Sequence, residues 1–165
     1  MNPLRSTLPF IEGDLIYAGG RFALVASRFN GFLVEELIQG AVETLRLHGC
    51  PMEAMDIIRV PGAFELPVAI RAVMEARCYR AVVALGVIIR GATAHFEHIA
   101  SSCTSGLQQL AITHGIPVGF GIITAETLDQ AIERSGTKGG NKGAEAALAA
   151  LETANLLAAL QKKTP

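Results

Sequence analysis

Apolar positions along this chain follow two rhythms, short unbroken runs and longer stretches with a period near 3.6. Arg21–Ser27 (RFALVAS) is a run of the first kind and predicts a buried strand. Val34, Leu37, Ile38, Ala41, Val42 and Leu45 then recur at helical spacing, with Asn30 as the expected N-cap and Gly49-Cys50-Pro51 as the stop. Asp56–Val60 predicts a second strand, and Pro61-Gly62 leads into a helix from about Ala63 to Arg77. Ala81–Ile89 predicts the third strand, and a helix over His95–His114 closes at Gly115 with Pro117 beyond it. Pro117–Thr124 predicts the fourth strand. Thr127-Leu-Asp-Gln130 has the form of a capping box opening a short helix to Arg134. Ser135–Lys142 reads as a glycine-rich loop, and Asn141 as the cap of a last, alanine-rich helix to about Leu160.

Such regular alternation predicts a parallel sheet with helices on both faces and right-handed crossovers. Residues 1–20 read as an N-terminal arm and residues 21–165 as one domain. In open parallel sheets, ligands bind beyond the carboxyl ends of the strands, where strand order switches. That rule selects three loops, Ser27–Asn30, Val60–Glu65 and Val87–His95.

The third loop carries the clearest chemistry. Gly91 and Ala92 let a ligand approach the backbone. Thr93 and the opening amides of the next helix can hold an anion. His95 adds a group that titrates near neutral pH. Phe29 is an aromatic in a turn, where it could equally pack on the first turn of its helix. Glu65 can accept from sugar-like hydroxyls or simply suit the helix dipole, and Thr93 can be a plain N-cap. His95 and His98 lack a third partner and the HExxH arrangement, so no metal is expected. Gly136–Gly143 departs from a phosphate-binding P-loop, because Asn141 and Gly143 break the pattern and no strand directly precedes it. Arg134, with Lys138 and Lys142 nearby, is the best candidate for a bidentate phosphate grip.

Composition narrows the class further. Hydrophobic residues make up 50% of the 165, aromatics only 5%, and mean hydropathy is +0.38. This points to extra apolar surface buried between subunits. A net charge of −1 and a pI near 6.4 give no electrostatic case for nucleic acid. Cys50, Cys78 and Cys103 have neither the number nor the spacing of a disulfide framework or zinc ribbon. The N-terminus lacks the apolar segment of a signal peptide, and no run of about 18 apolar residues is evident. A cytoplasmic oligomer, off the membrane, is the expectation.

Four blocks in order then carry a resemblance: Ser27-Arg-Phe-Asn30; Val60-Pro-Gly-Ala-Phe-Glu-Leu-Pro67; Leu85–Phe96; and Gly119–Thr124 leading into Gln130–Gly143. Together they resemble the 6,7-dimethyl-8-ribityllumazine synthases over about Arg21–Leu160. The resemblance implies a three-layer αβα sandwich with a four-stranded parallel, flavodoxin-like sheet. It implies a transferase of riboflavin biosynthesis that needs no cofactor. This enzyme would condense 5-amino-6-(D-ribitylamino)uracil with 3,4-dihydroxy-2-butanone 4-phosphate. By position, Phe29 would stack on the pyrimidine, and Ala63, Phe64 and Glu65 would hold the ribityl chain and ring. Val87, Ile88 and Ile89 would offer backbone groups to the uracil edge, and Phe120 would cover the ring. Ala92, Thr93 and Arg134 would bind the ketose phosphate, with Lys142 adding charge nearby. His95 would transfer protons. The resemblance further implies pentamers, paired pentamers or sixty-subunit shells with sites between subunits, and association with riboflavin synthase. The arm around Leu15–Tyr17 would add a strand to a neighbour's sheet. Phe120, set back from its own chain's strand ends, would be presented by that neighbour. A non-catalytic, flavin-binding shell protein of the same fold is the alternative.

Overall fold

The computed structural model describes residues 9–162. Four parallel strands form the sheet in the order β2-β1-β3-β4: β1 (Arg21–Ser27), β2 (Met55–Val60), β3 (Tyr79–Ile89) and β4 (Val118–Ala125). α1 (Gly31–Leu47) and α5 (Lys142–Gln161) cover one face, and α2 (Leu66–Glu75) and α3 (His95–His114) the other. The strands show why both faces are apolar. Phe22, Leu24 and Ala26 join the α1/α5 core, while Ala23 and Val25 join the α2/α3 core. α4 (Leu128–Arg134) follows β4.

The alternation in the sequence thus predicts the three-layer sandwich, with local corrections. Asn30 precedes α1 but does not cap it with its side chain; it sits in the left-handed region at φ 55. The second helix begins as a single 3-10 turn, Ala63–Glu65, and ends at Glu75. Residues 135–142 are not a plain loop. Ser135–Thr137 (β5) and Gly140–Asn141 (β6) pair antiparallel in a small hairpin. Thr127 caps α4 by accepting from the Gln130 amide, but the Gln130 side chain accepts from Glu126, one residue before the cap.

Asn141 does cap α5, its carbonyl oxygen accepting from Gly143 and Ala144 at 2.8 and 3.1 Å. Its side-chain nitrogen meanwhile donates to the Glu36 carbonyl, fastening the hairpin to α1. The α1/α5 contact is close because Gly143 has no side chain. A β-carbon there would lie 2.0 Å from the Leu37 carbonyl oxygen. α5 is also long and apolar enough to cross a membrane by length and hydropathy, contrary to expectation. Ala146, Ala147, Ala150, Leu151 and Ala154 are instead buried in the core beside the sheet.

Within one subunit, the arm around Leu15–Tyr17 is tied to α5 and to the end of α1. The Asn155 side-chain amide donates to the carbonyls of Asp14 and Ile16, and Tyr17 donates its N–H to His48. Arg80 braces the same region from Gly19 to Asn155. Leu15–Tyr17 form no strand within their own subunit.

Candidate active site

β3 outruns its neighbour on one side. Its pairing with β1 stops at Leu85, whereas its pairing with β4 continues to Ile89. Backbone groups of a strand point alternately to either side. The Arg90 amide donates to the Ala125 carbonyl, so Arg90 and Ile88 turn toward β4. Val87 and Ile89 therefore turn their peptide groups toward the gap where β1 has ended. This gap is the switch point in strand order.

A cavity of about 730 Å³ opens there. The three loops chosen by the strand-end rule all reach it, supplying Phe29; Ala63, Phe64 and Glu65; and Val87, Ile88, Ile89, Thr93 and His95. Phe29 is 72% exposed and Phe64 59%, which excludes a mainly core role for either ring. Two backbone bonds place Phe29. Arg28 and Phe29 donate to the carbonyls of Val60 and Pro61, continuing the β1/β2 ladder past its last residues. On the other side, Asn30 Nδ2 donates to the Val87 carbonyl at 2.9 Å.

Glu65 has a local task as well. One carboxylate oxygen accepts from the Gly62 N–H at 2.9 Å, which closes the turn before α2. A carboxylate has further acceptor sites, so this bond does not exhaust it. Thr93 does not cap α3, since Ala94 holds that position; its hydroxyl accepts from the His95 N–H at 3.4 Å. His95 opens α3 and is exposed to the cavity. Sequence reasoning did not single out Asn30, Phe96 or Ile99 as part of the site, and it weighed His98 only as a metal ligand. The Asn30 signal was present: an asparagine before a helix also suits left-handed backbone.

Four of the residues named from sequence stand elsewhere. Ala92 is exposed on the turn but is not among the cavity's lining residues. Phe120 pairs in register with Ala84, five residues before the end of β4. It lines a separate apolar hollow with Thr104, Leu107 and Val118, and remains 46% exposed. Arg134 lies at the end of α4, where its guanidinium donates to the Gln130 carbonyl. Lys142 pairs with Glu145 at 2.5 Å.

The fold and cavity define a doubly wound α/β protein that receives its ligand across the strand ends. Its open peptide edge and aromatic walls suit a planar, hydrogen-bonding ring, and its threonine and histidine a smaller polar group. The model of the 6,7-dimethyl-8-ribityllumazine synthase family matches residues 19–158, and the chain belongs to that family. At family level it is a transferase of riboflavin biosynthesis.

Proposed function

We propose that this chain condenses 5-amino-6-(D-ribitylamino)uracil with 3,4-dihydroxy-2-butanone 4-phosphate to 6,7-dimethyl-8-ribityllumazine, releasing phosphate and water. The observation that carries this reading is the meeting of Phe29, Glu65, the stretch of β3 that β1 leaves uncovered, Thr93 and His95 around one cavity. The pyrimidine stacks on Phe29, its edge reads the peptide groups of Val87 and Ile89, and the ribityl hydroxyls reach Glu65. Ile88 contributes its side chain, because its peptide groups face β4. The ketose phosphate sits by Ala92 and Thr93.

The amine attacks the ketone, and loss of water gives an imine. Elimination of phosphate and ring closure with loss of a second water complete the lumazine. His95 moves protons during these steps. Holding two intrinsically reactive partners together supplies much of the rate, since effective molarity offsets about 7–11 kcal/mol in favourable cases.

Phe120 and Arg134 join the site from an adjacent subunit in a homo-oligomer. Support comes from neither residue lining its own chain's cavity and from exposed apolar residues such as Phe32, Ile57, Val68 and Ile112, each at least half exposed. Mixing purified protein with both substrates should produce lumazine absorbance above the uncatalysed rate. Binding of flavin without turnover would instead favour the non-catalytic shell protein.

A further inference from the structure

The site as described gives Arg90 no task, although it stands between the cavity-lining end of β3 and Thr93. Its guanidinium does not wait for an anion. Nε donates to Glu126 at 2.5 Å and Nη1 to Glu97 at 2.9 Å. Its central carbon lies 4.5 Å from the centroid of the Phe96 ring. Two carboxylates against one guanidinium cancel its attraction for phosphate. What remains is a mechanical role, since the three contacts belong to separate segments. Phe96 and Glu97 follow His95 in the first turn of α3, whereas Glu126 lies between β4 and α4.

The connection continues beyond Glu126. Its N–H donates to the Gln130 side chain at 2.9 Å, and the Gln130 carbonyl accepts from Arg134 at 3.0 Å. A chain of polar contacts thus runs from the histidine's helix start to the arginine at the end of α4. The intervening turn has little else to hold it, because Gly91, Ala92 and Thr93 are all exposed.

We infer that Arg90 is a positioning residue: by gripping Glu97 and Glu126 while lying over Phe96, it sets the placement of His95 and, through Gln130, of Arg134. A planar fork is needed for this, since it reaches two carboxylates and stacks on a ring at once; a lysine ammonium is a single point charge. Such exposed ion pairs add little to stability, so their value lies in geometry. The choice of the ketose phosphate as the affected substrate rests on the function proposed above.

The test compares wild type, Arg90→Gln, Arg90→Lys and Glu126→Gln, all in the full chain. Hydrogen–deuterium exchange reads the clamp without any substrate. Arg90→Gln should exchange several-fold faster over residues 91–97 and 126–134, with 21–27 and 55–60 unchanged. Glu126→Gln should loosen 126–134 alone, and it supplies the answer if Arg90→Gln fails to fold. Kinetically, kcat/KM for the ketose phosphate should fall on the order of 10- to 100-fold in Arg90→Gln, as an ångström of misplacement does. The KM for the aminouracil should stay unchanged, and Arg90→Lys should not restore the loss. Unaltered exchange, equal effects on both substrates, or full rescue by lysine would overturn the inference. If wild type makes no lumazine, the proposed reaction fails, while exchange still decides the clamp.

Discussion

The Asn30 side-chain amide donates to the Val87 carbonyl at 2.9 Å, tying the turn after β1 to the stretch of β3 that β1 leaves uncovered. Asn30 pairs this bond with a φ of 55, a conformation that asparagine and glycine tolerate best. Phe29, next to it, is therefore held from two sides.

Asn30→Gly keeps the backbone shape and removes only the tie. A net hydrogen bond of about 1 kcal/mol corresponds to about fivefold in affinity, and that rise is expected in the KM for the aminouracil. Asn30→Ala should lose more, because a β-carbon in the left-handed region adds about 1–2 kcal/mol of strain. An unchanged KM in Asn30→Gly would show that the tie does not position Phe29.

His95→Ala should leave measurable turnover, lowered by about 10²–10⁴-fold, the usual worth of one proton-transfer group. Arg134→Ala should act differently, raising the KM for the ketose phosphate more than it lowers kcat. Complete loss of turnover in folded His95→Ala would contradict this division of labour.

Gly143→Ala should destabilise the fold, because the added β-carbon meets the Leu37 carbonyl oxygen at 2.0 Å. Overpacking of this kind costs about 1–3 kcal/mol, read as a lower Tm. Gly31→Ala is the matched control. Beyond its chain neighbours and its own helix backbone, nothing lies within 4 Å of its β-carbon position, so it should be neutral or slightly stabilising.

Acid should weaken the pairing of β1 with β2 near their starts. The Arg21 guanidinium, and after it Tyr79, hold the Asp56 carboxyl below its ordinary range, with Arg21 Nη2 at 2.6 Å. A carboxyl depressed on folding contributes stability that is complete above its unfolded value. That contribution is lost as pH falls through the lower, folded one. Asp56→Asn should therefore be less stable than wild type at pH 7 in urea titrations, and the difference should shrink below about pH 4.

Much of this architecture was legible before any coordinates. The run Arg21–Ser27 and a helix from about His95 to His114 are legible in the sequence, because burial on both faces and glycine punctuation leave few alternatives. The hairpin at 135–141 was not legible. Its strands are too short to show a period, and its hold on α1 is a long-range bond from Asn141. Phe29, Glu65 and His95 could be read as a site because the strand-end rule converts sequence position into space. Asn30's bond to Val87 and the clamp of Arg90 depend on strand lengths and side-chain directions, which no local pattern encodes.

The extra length of β3 has a further consequence, for solubility. A strand that continues after its neighbour stops presents free peptide groups, the feature by which sheets recruit foreign strands and aggregate. Here Asn30 occupies one of those groups and Phe29 lines the cavity beside them. The length of exposed edge is thus too short and too crowded for another chain, yet open to a flat ring. Lengthening β1 by two paired residues would make the protein safer from aggregation and close the gap in which the pyrimidine is proposed to bind.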